Sequence, residues 1–317
     1  MHIPALLPDE LLAGHLHRVA SLNGLESGFK AALMIAEMKT QHRTTCAGRT
    51  WFEMYAETCG IDAAHLVRAH TLVPVMQLVV GRGAPISYGD PTYRVREKQT
   101  HSWIVPRSSL SCPECHQEDL AFWGFAYLRR SAQLPGIDWC MKHGTQLQDR
   151  DAEDPQGEPA ILSVEEHRYG EIFGALLDLP RSIPIAQASK RVRDRMRALG
   201  LRWRSNAPAT SISEWASALM PPSWLKRRWH DFETGQRGQD FDSIHSTLKF
   251  PLPTSHYALA LTVLYDSSEE ALIDFLRPLD DDELAAAAEV AVARGYHRRS
   301  RSTRVVEGSG HKILVSR

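Results

Sequence analysis

The chain lacks long apolar runs, nucleotide-binding loops and the motifs of common enzymes. Its longest apolar run, Tyr257 to Tyr265, is far too short to span a bilayer. Asp9 and Glu10 stand where a secretion signal would be apolar, so we expect no such signal and a cytoplasmic location. Neither a G-x-x-x-x-G-K-[ST] loop nor a nucleophile-elbow pattern occurs. We therefore expect a protein that is not an enzyme.

An excess of charge of one sign is also absent, since the formal net charge is −1. The charges are unevenly distributed, however: residues 149–178 are mostly acidic, whereas residues 181–230 and the C-terminal tail are mostly basic. Basic helix faces are often merely solvated, but clustered Lys and Arg also bind phosphates. The candidate nucleic-acid-binding residues are Lys190, Arg191, Arg193, Arg195, Arg197, Lys226, Arg227, Arg228, Arg298, Arg299 and Arg301.

Cysteine is scarce, and three of the five cysteines lie in two ligand pairs. Cys112 and Cys115 form C-x2-C, and Cys140 and His143 form C-x2-H after 24 intervening residues. Two residues between ligands let a tight turn aim both side chains at one ion, and four such ligands complete a tetrahedral Zn²⁺ site. Because no position remains for water or substrate, we expect one structural zinc ion. Lys142 and Arg129 or Arg130 are expected to offset the negative charge of three thiolates.

The remaining sequence predicts a mainly α-helical protein, with helix-turn-helix-like domains around a small zinc-ribbon module. We predict an N-terminal helical domain over residues 1–99, the zinc-binding module over 100–150, and a C-terminal helical, basic domain over 160–317. The clearest boundary is the Pro- and Gly-containing stretch 151–159.

Apolar spacing predicts individual helices. A stripe from Leu11 to Val19 indicates a helix that ends at Asn23-Gly24, and the next helix is expected to turn Phe29 and Leu33 inward. Residues 51–58 and 62–69 predict a helix pair joined at Gly60, which resembles a helix-turn-helix and serves either protein or DNA contact. A second candidate helix-turn-helix combines residues 211–219 with the helix that carries Lys226 to Arg228.

The residues around the ligand pairs add a family resemblance. The segments concerned are Ser111 to Asp119, Phe122 to Arg130, Leu134 to Gly144, and the opening Leu7 to Leu12. In this order they resemble the TniQ family, which includes TnsD, and the resemblance covers residues 4 to 147.

The resemblance implies a target selector for transposition rather than a transposase. Such a protein binds a DNA attachment site or docks on an RNA-guided CRISPR complex, and it recruits an AAA+ regulator, TnsC or TniB. We expect Trp123, Arg129, Arg130 and Trp139 to belong to the partner-binding surface, and a homodimer stays open. One alternative is a zinc-ribbon helix-turn-helix transcription regulator. Another is a zinc-dependent hydrolase or nuclease, which four protein ligands without bound water would exclude.

Overall fold

The computed structural model describes residues 1–40, 50–76, 78–81, 87, 109–150, 157–201, 210–228, 241–245, 252–280 and 282. These residues are mainly helical, which confirms the predicted fold class. The chain divides into two units, Met1–Arg277 and Pro278–Arg317, and the helices and strands given below lie in the first. None of the described helices combines the length and the apolar content that crossing a bilayer requires.

The described elements are mostly helices, together with four short strands that form two two-stranded sheets. The helices are α1 (Leu12–Leu22), α2 (Gly28–Thr40), α3 (Trp51–Cys59), α4 (Ala63–His70), α5 (Val73–Met76), α6 (Pro113–Trp123), α7 (Val164–Leu177), α8 (Ile185–Ala198), α9 (Ile212–Leu219), α10 (Pro222–Arg228), α11 (Thr254–Leu264) and α12 (Ser268–Leu276). The strands are β1 (Val79–Val80), β2 (Leu110–Ser111), β3 (Gln148–Asp149) and β4 (Ile183–Pro184). β1 pairs with β4 in parallel, and β2 pairs with β3 in antiparallel orientation.

The N-terminal helices form as their sequence predicts, with one exception. The buried stripe of α1 is confirmed at Leu11, Leu12, His15, Leu16 and Val19. The predicted inward face of α2 is wrong, because Phe29 and Leu33 are exposed while Ala31 and Ile35 are buried. The cause is the close approach of Gly28 to α1, where an added Cβ would lie 3.1 Å from the Leu16 carbonyl carbon. That contact turns the opposite face of α2 toward α1.

The predicted helix pair around Gly60 is also present. Thr50 and Glu53 form a reciprocal capping box at the start of α3, and Asp62 caps α4 through the His65 N–H. Gly60 has φ 70°, a left-handed conformation that glycine adopts without a Cβ clash. The pair packs through Tyr55 and its apolar neighbours, so its helices are established and its binding role stays a prediction.

Helix α11 lies at the centre of the larger core. Every residue from Tyr257 to Leu264 on it is buried, as expected for a helix that other elements surround on all sides. The same apolar core includes Leu11, Leu128 and Trp139, so it draws on all three predicted domain segments. The three-domain division itself stays a prediction.

Two buried histidines hold the N-terminal segment in place. His15 Nε2 lies 2.8 Å from the Pro4 carbonyl, which can only accept, so this nitrogen donates and Nδ1 accepts from the Tyr55 hydroxyl at 2.7 Å. His70 Nδ1 donates to the Glu10 carbonyl at 2.8 Å. Burial lowers the pKa of both histidines below the ordinary value of 6.5.

Acid is therefore expected to destabilise the fold through these histidines. Below pH 6.5 the two histidines bind protons in the unfolded chain but stay neutral in the folded chain, because their pKa values are lower there. Their full contribution to the free energy of unfolding is therefore present above pH 6.5, and it is lost as the pH falls toward the folded pKa values. The slope reaches up to about 1.4 kcal/mol per pH unit for each histidine. Denaturant unfolding at pH 7.5 and 5.5 measures it. His15→Gln, which cannot be protonated, should reduce the slope, and an unchanged slope would contradict the assignment.

Candidate metal centre and its surroundings

Local backbone structure brings the four candidate ligands to one point. Cys112 is the N-cap of α6 and Pro113 begins the helix, so Cys115 lies in the first turn, at its electropositive end. Cys140 and His143 lie on a tight turn that closes at Gly144, whose φ is 68° and whose N–H donates to the Cys140 carbonyl at 2.8 Å. The β2–β3 ladder flanks both turns.

The donor atoms fit a tetrahedral metal site. His143 Nδ1 lies 3.4 Å from the sulfurs of Cys112 and Cys115 and 3.6 Å from that of Cys140. The Cys115 and Cys140 sulfurs are 3.7 Å apart. Metal–sulfur bonds of about 2.3 Å and metal–nitrogen bonds of about 2.0 Å give tetrahedral edges of about 3.8 Å between sulfurs and about 3.5 Å between sulfur and nitrogen. These four residues can therefore hold one metal ion.

Without a cation the cluster resists full deprotonation. The hydrogen bond shared with the Cys115 sulfur lowers the pKa of Cys140 to about 5, with help from the backbone N–H groups of His143 and Lys142. Burial raises the pKa of Cys112 to about 12, and the hydrogen bond to Cys140 raises that of Cys115. One thiolate thus forms readily and the others need a positive partner, which a divalent metal ion supplies.

Surrounding side chains orient the ligands and offset their charge. His143 Nε2 lies 3.1 Å from a Glu118 carboxylate oxygen, so Nε2 donates and Nδ1 stays free to bind a metal ion. Lys142 pairs with the same carboxylate. Arg129 and Lys142 both border the space beside Cys115, as expected for cations that offset thiolate charge. Arg130 does not, because its guanidinium is engaged elsewhere.

Glu118→Gln should weaken metal binding without unfolding the protein. The amide can no longer accept strongly from the imidazole, so the histidine loses its fixed tautomer and some basicity. Since Glu118 is half-exposed, we expect the low end of the usual effect, about a tenfold loss of metal affinity, measured by competition with a chromophoric chelator. Glu26→Gln, on an exposed residue outside the site, is the matched control. Equal affinities for both variants would show that Glu118 does not orient His143.

Two of the four predicted partner-binding residues are not accessible. Arg130 is 5% exposed and Trp139 is 3% exposed, so the expectation that they form a docking surface is wrong. Trp139 packs in the main core, against the backbone of α7 at Gly170. Trp123 is 39% exposed, and Arg129 is half-buried in an ion pair with Asp119.

Arg130 joins three parts of the chain. It donates to Asp178 at 2.9 Å and to Asp9 at 3.4 Å, and it also reaches the Arg68 carbonyl. Asp9, with φ 58°, accepts from both the N–H and the hydroxyl of Ser131. The pairing of an N-terminal Asp with this arginine carries no local sequence signal, because the partners are 121 residues apart.

Three exposed apolar residues beside Trp123 were not among the predicted partner-binding residues. Leu120, Phe122 and Phe125 are 46%, 78% and 36% exposed. We call these three residues and Trp123 the aromatic ledge. The apolar composition of residues 120–125 was the available signal, but composition alone does not separate an exposed helix end from a buried one.

The predicted basic face of α8 is largely internal. Arg191 and Arg193 are buried and donate to the carbonyls of Arg277 and His245, so their assignment to an exposed cationic face is wrong. Arg195 donates to the Leu264 carbonyl, stacks over Tyr265 and pairs with Glu270. Arg191 and Arg195 thereby stabilise carbonyls at the C-terminal ends of α12 and α11, where positive charge is favourable.

The other predicted nucleic-acid residues have mixed outcomes. Arg197 is exposed on α8, Lys190 pairs with Asp194, and Lys226 is exposed on α10. The side chains of Arg227 and Arg228, together with Arg298, Arg299 and Arg301, lie outside the described residues. Nucleic-acid binding stays a prediction for all of them.

The described elements are mainly helices, and four side chains at one point can together supply all the ligands of a tetrahedral metal ion. This combination defines a helical protein with a candidate metal-binding module. The sequence model of the TniQ family matches residues 2–147, a segment that ends just beyond the fourth ligand. Residues 2–147 therefore carry a TniQ domain, as the resemblance predicted, and this domain implies a transposition-associated role in target selection. TniQ proteins are adaptors rather than enzymes. No curated protein matches the chain.

Proposed function

We propose that the protein is a zinc-stabilised adaptor that binds a transposition target and recruits an AAA+ regulator of the TnsC or TniB kind. The observation that carries the proposal is the TniQ domain over residues 2–147, which contains the complete ligand quartet. The target is either an attachment site in DNA or an RNA-guided CRISPR complex, and the protein works in the cytoplasm.

The metal in this proposal is one structural Zn²⁺. Three sulfurs and one imidazole nitrogen at tetrahedral spacing suit zinc, and four protein ligands leave no open position for a catalytic water. This coordination supports an adaptor over a zinc-dependent hydrolase or nuclease. When bound, the ion fixes α6 relative to the turn that carries Cys140, and thereby positions the far end of α6.

The aromatic ledge at that end of α6 is the proposed surface for the regulator. Phe122 and Trp123 pack edge to face with ring centroids 4.6 Å apart, and the Arg18 guanidinium lies 5.0 Å from the Phe125 ring centroid. Exposed aromatic clusters of this kind are typical of the centre of protein interfaces. A partner can contact the exposed aromatic ledge without any change in the fold, whereas contact with the buried Arg130 or Trp139 would require the surrounding structure to open.

Target binding is proposed for cations that are exposed at the surface. α9 and α10 meet at Met220 and Pro221, and Lys226 projects from α10 into solvent. Arg197 is also exposed. Exposed Lys and Arg residues bind phosphates with an affinity that falls steeply with salt. Arg191 and Arg193 are excluded from this surface by their burial.

A three-component assay tests both halves of the proposal. Immobilised target, either attachment-site DNA or a guide-RNA complex, is mixed with the zinc-loaded protein and an AAA+ regulator of the TnsC or TniB kind. Regulator retention should require the protein. Phe122→Ser should reduce retention at least tenfold, because an interface anchor is typically worth more than about 1.4 kcal/mol. Target binding by this variant should stay normal.

Two comparisons keep the assay specific. Ile161→Ser removes an equally apolar side chain that is 99% exposed, and it should leave regulator retention unchanged. Lys226→Glu should weaken target binding and its salt dependence while direct binding of the regulator persists. If the protein retains regulator on neither target, or if Phe122→Ser and Ile161→Ser behave alike, the proposal fails.

A further inference from the structure

A cavity of about 160 Å³ lies beside the candidate metal centre. Its walls combine the three ligand cysteines with an apolar and aromatic lining that includes Tyr127, Trp139 and Leu147. A Zn²⁺ ion would occupy the space between the four donor atoms, whereas Tyr127, Trp139 and Leu147 line the cavity without supplying a ligand. This volume suits one large apolar side chain and is too small for a drug-sized ligand.

Two arginines that line the cavity favour an occupant that carries a hydrogen-bond acceptor. Arg150 is exposed and donates to the Ala126 carbonyl at 3.2 Å, and among the described residues no carboxylate pairs with it. Arg129 pairs with Asp119 through one terminal nitrogen, but its Nε is buried and has no hydrogen-bond partner in the described part of the chain. A buried donor without an acceptor is costly, and an occupant that carries an acceptor would remove that cost.

We propose that this cavity binds a segment of a protein partner in which a bulky apolar residue adjoins a carboxylate. The apolar side chain fills the space lined by Tyr127, Trp139 and Leu147, and the carboxylate faces Arg150 and the Arg129 Nε. The aromatic ledge ends at Phe125, one residue before Ala126, so the bound segment can continue onto an apolar surface. Anchors that fill pockets beside a charged contact are the usual centres of protein interfaces. This inference deepens the proposed function, because it specifies the chemistry of the recruited partner.

Three small probes test the cavity without any transposition component. N-acetylphenylalanine carries the ring and the carboxylate, its methylamide lacks the carboxylate, and N-acetylalanine lacks the ring. Each is titrated into the full-length, zinc-loaded protein, with ¹⁵N-labelled tryptophan indoles followed by NMR. We expect saturable, millimolar binding of N-acetylphenylalanine that shifts the Trp139 indole signal. The methylamide should bind about fivefold more weakly and N-acetylalanine not detectably.

Variants then assign the carboxylate contact. Arg150→Gln should weaken N-acetylphenylalanine about fivefold and leave the methylamide unchanged. Arg181→Gln, also on an exposed arginine, should change neither. Absence of saturable binding, a shift confined to other tryptophans, or equal effects of the two variants would each overturn the inference. These outcomes are independent of the recruitment assay, which can fail while the probes bind and can succeed while they do not.

Discussion

Cys115→Ser should abolish metal binding and unfold the module around the site. Three remaining ligands cannot close the tetrahedron, and structural zinc supplies roughly 10–16 kcal/mol of apparent binding energy in small modules. Apolar packing cannot compensate for the loss of this binding energy, because the core beside the site is small. It consists of the three ligand cysteines, Ala132 and Leu147, with Leu110 packed against it. The zinc content of the purified protein should fall from about one ion per chain to almost none, with a large loss of thermal stability.

The matched control is Cys59→Ser. Cys59 is half-buried at the end of α3 and takes no part in the ligand cluster, so its variant should keep full zinc content. Atomic emission gives the metal content, and thermal unfolding with and without a chelator gives the stability. Should Cys115→Ser retain both zinc and wild-type stability, the assignment of the metal centre would be wrong.

Arg130→Ala should clearly destabilise the fold, although Arg130 was predicted to lie on the partner-binding surface. The guanidinium is 6% exposed and contacts Asp9, Asp178 and the Arg68 carbonyl. Removing the guanidinium leaves the Arg68 carbonyl and the partly buried Asp9 without their donor, whereas the exposed Asp178 returns to water, so we expect a loss of about 1–3 kcal/mol. Equilibrium unfolding in urea measures the change.

Two comparisons separate this role from a simple loss of charge. Arg130→Lys should recover little stability, because an ammonium group cannot reproduce the planar fork that reaches three acceptors. Arg181→Ala, on an exposed arginine, should stay within about 0.5 kcal/mol of the wild type. If Arg130→Ala changed the free energy of unfolding no more than Arg181→Ala does, the structural role of Arg130 would be wrong and partner binding would again be a candidate role for it.

Features that depend on neighbours in sequence were predictable. The ligand quartet was recognisable because two-residue spacing and a shared metal impose a local pattern. The helix start at Ser211 was recognisable for the same reason, since its capping box closes within three residues. The exposed side of α2 was not, because it depends on how closely Gly28 meets α1.

Charged residues show the limit of sequence reasoning most clearly. Arg191, Arg193 and Arg197 occupy one helix with similar periodicity, yet the first two are buried and the third is exposed. Their difference arises from carbonyls at Arg277 and His245, which lie 86 and 52 residues away. A helical wheel contains no information about such acceptors.

The sequence by itself was enough to predict the candidate metal centre and the helical class, because ligand spacing, caps and apolar periodicity act over a few residues, and the residues around the ligands carried the resemblance to the TniQ family. The tertiary structure alone decided which cations and aromatics face solvent. It placed Arg130 and Trp139 inside and left Phe122 outside. The physical reason is that burying an arginine requires acceptors and burying a ring requires apolar walls, and both come from segments distant in the chain.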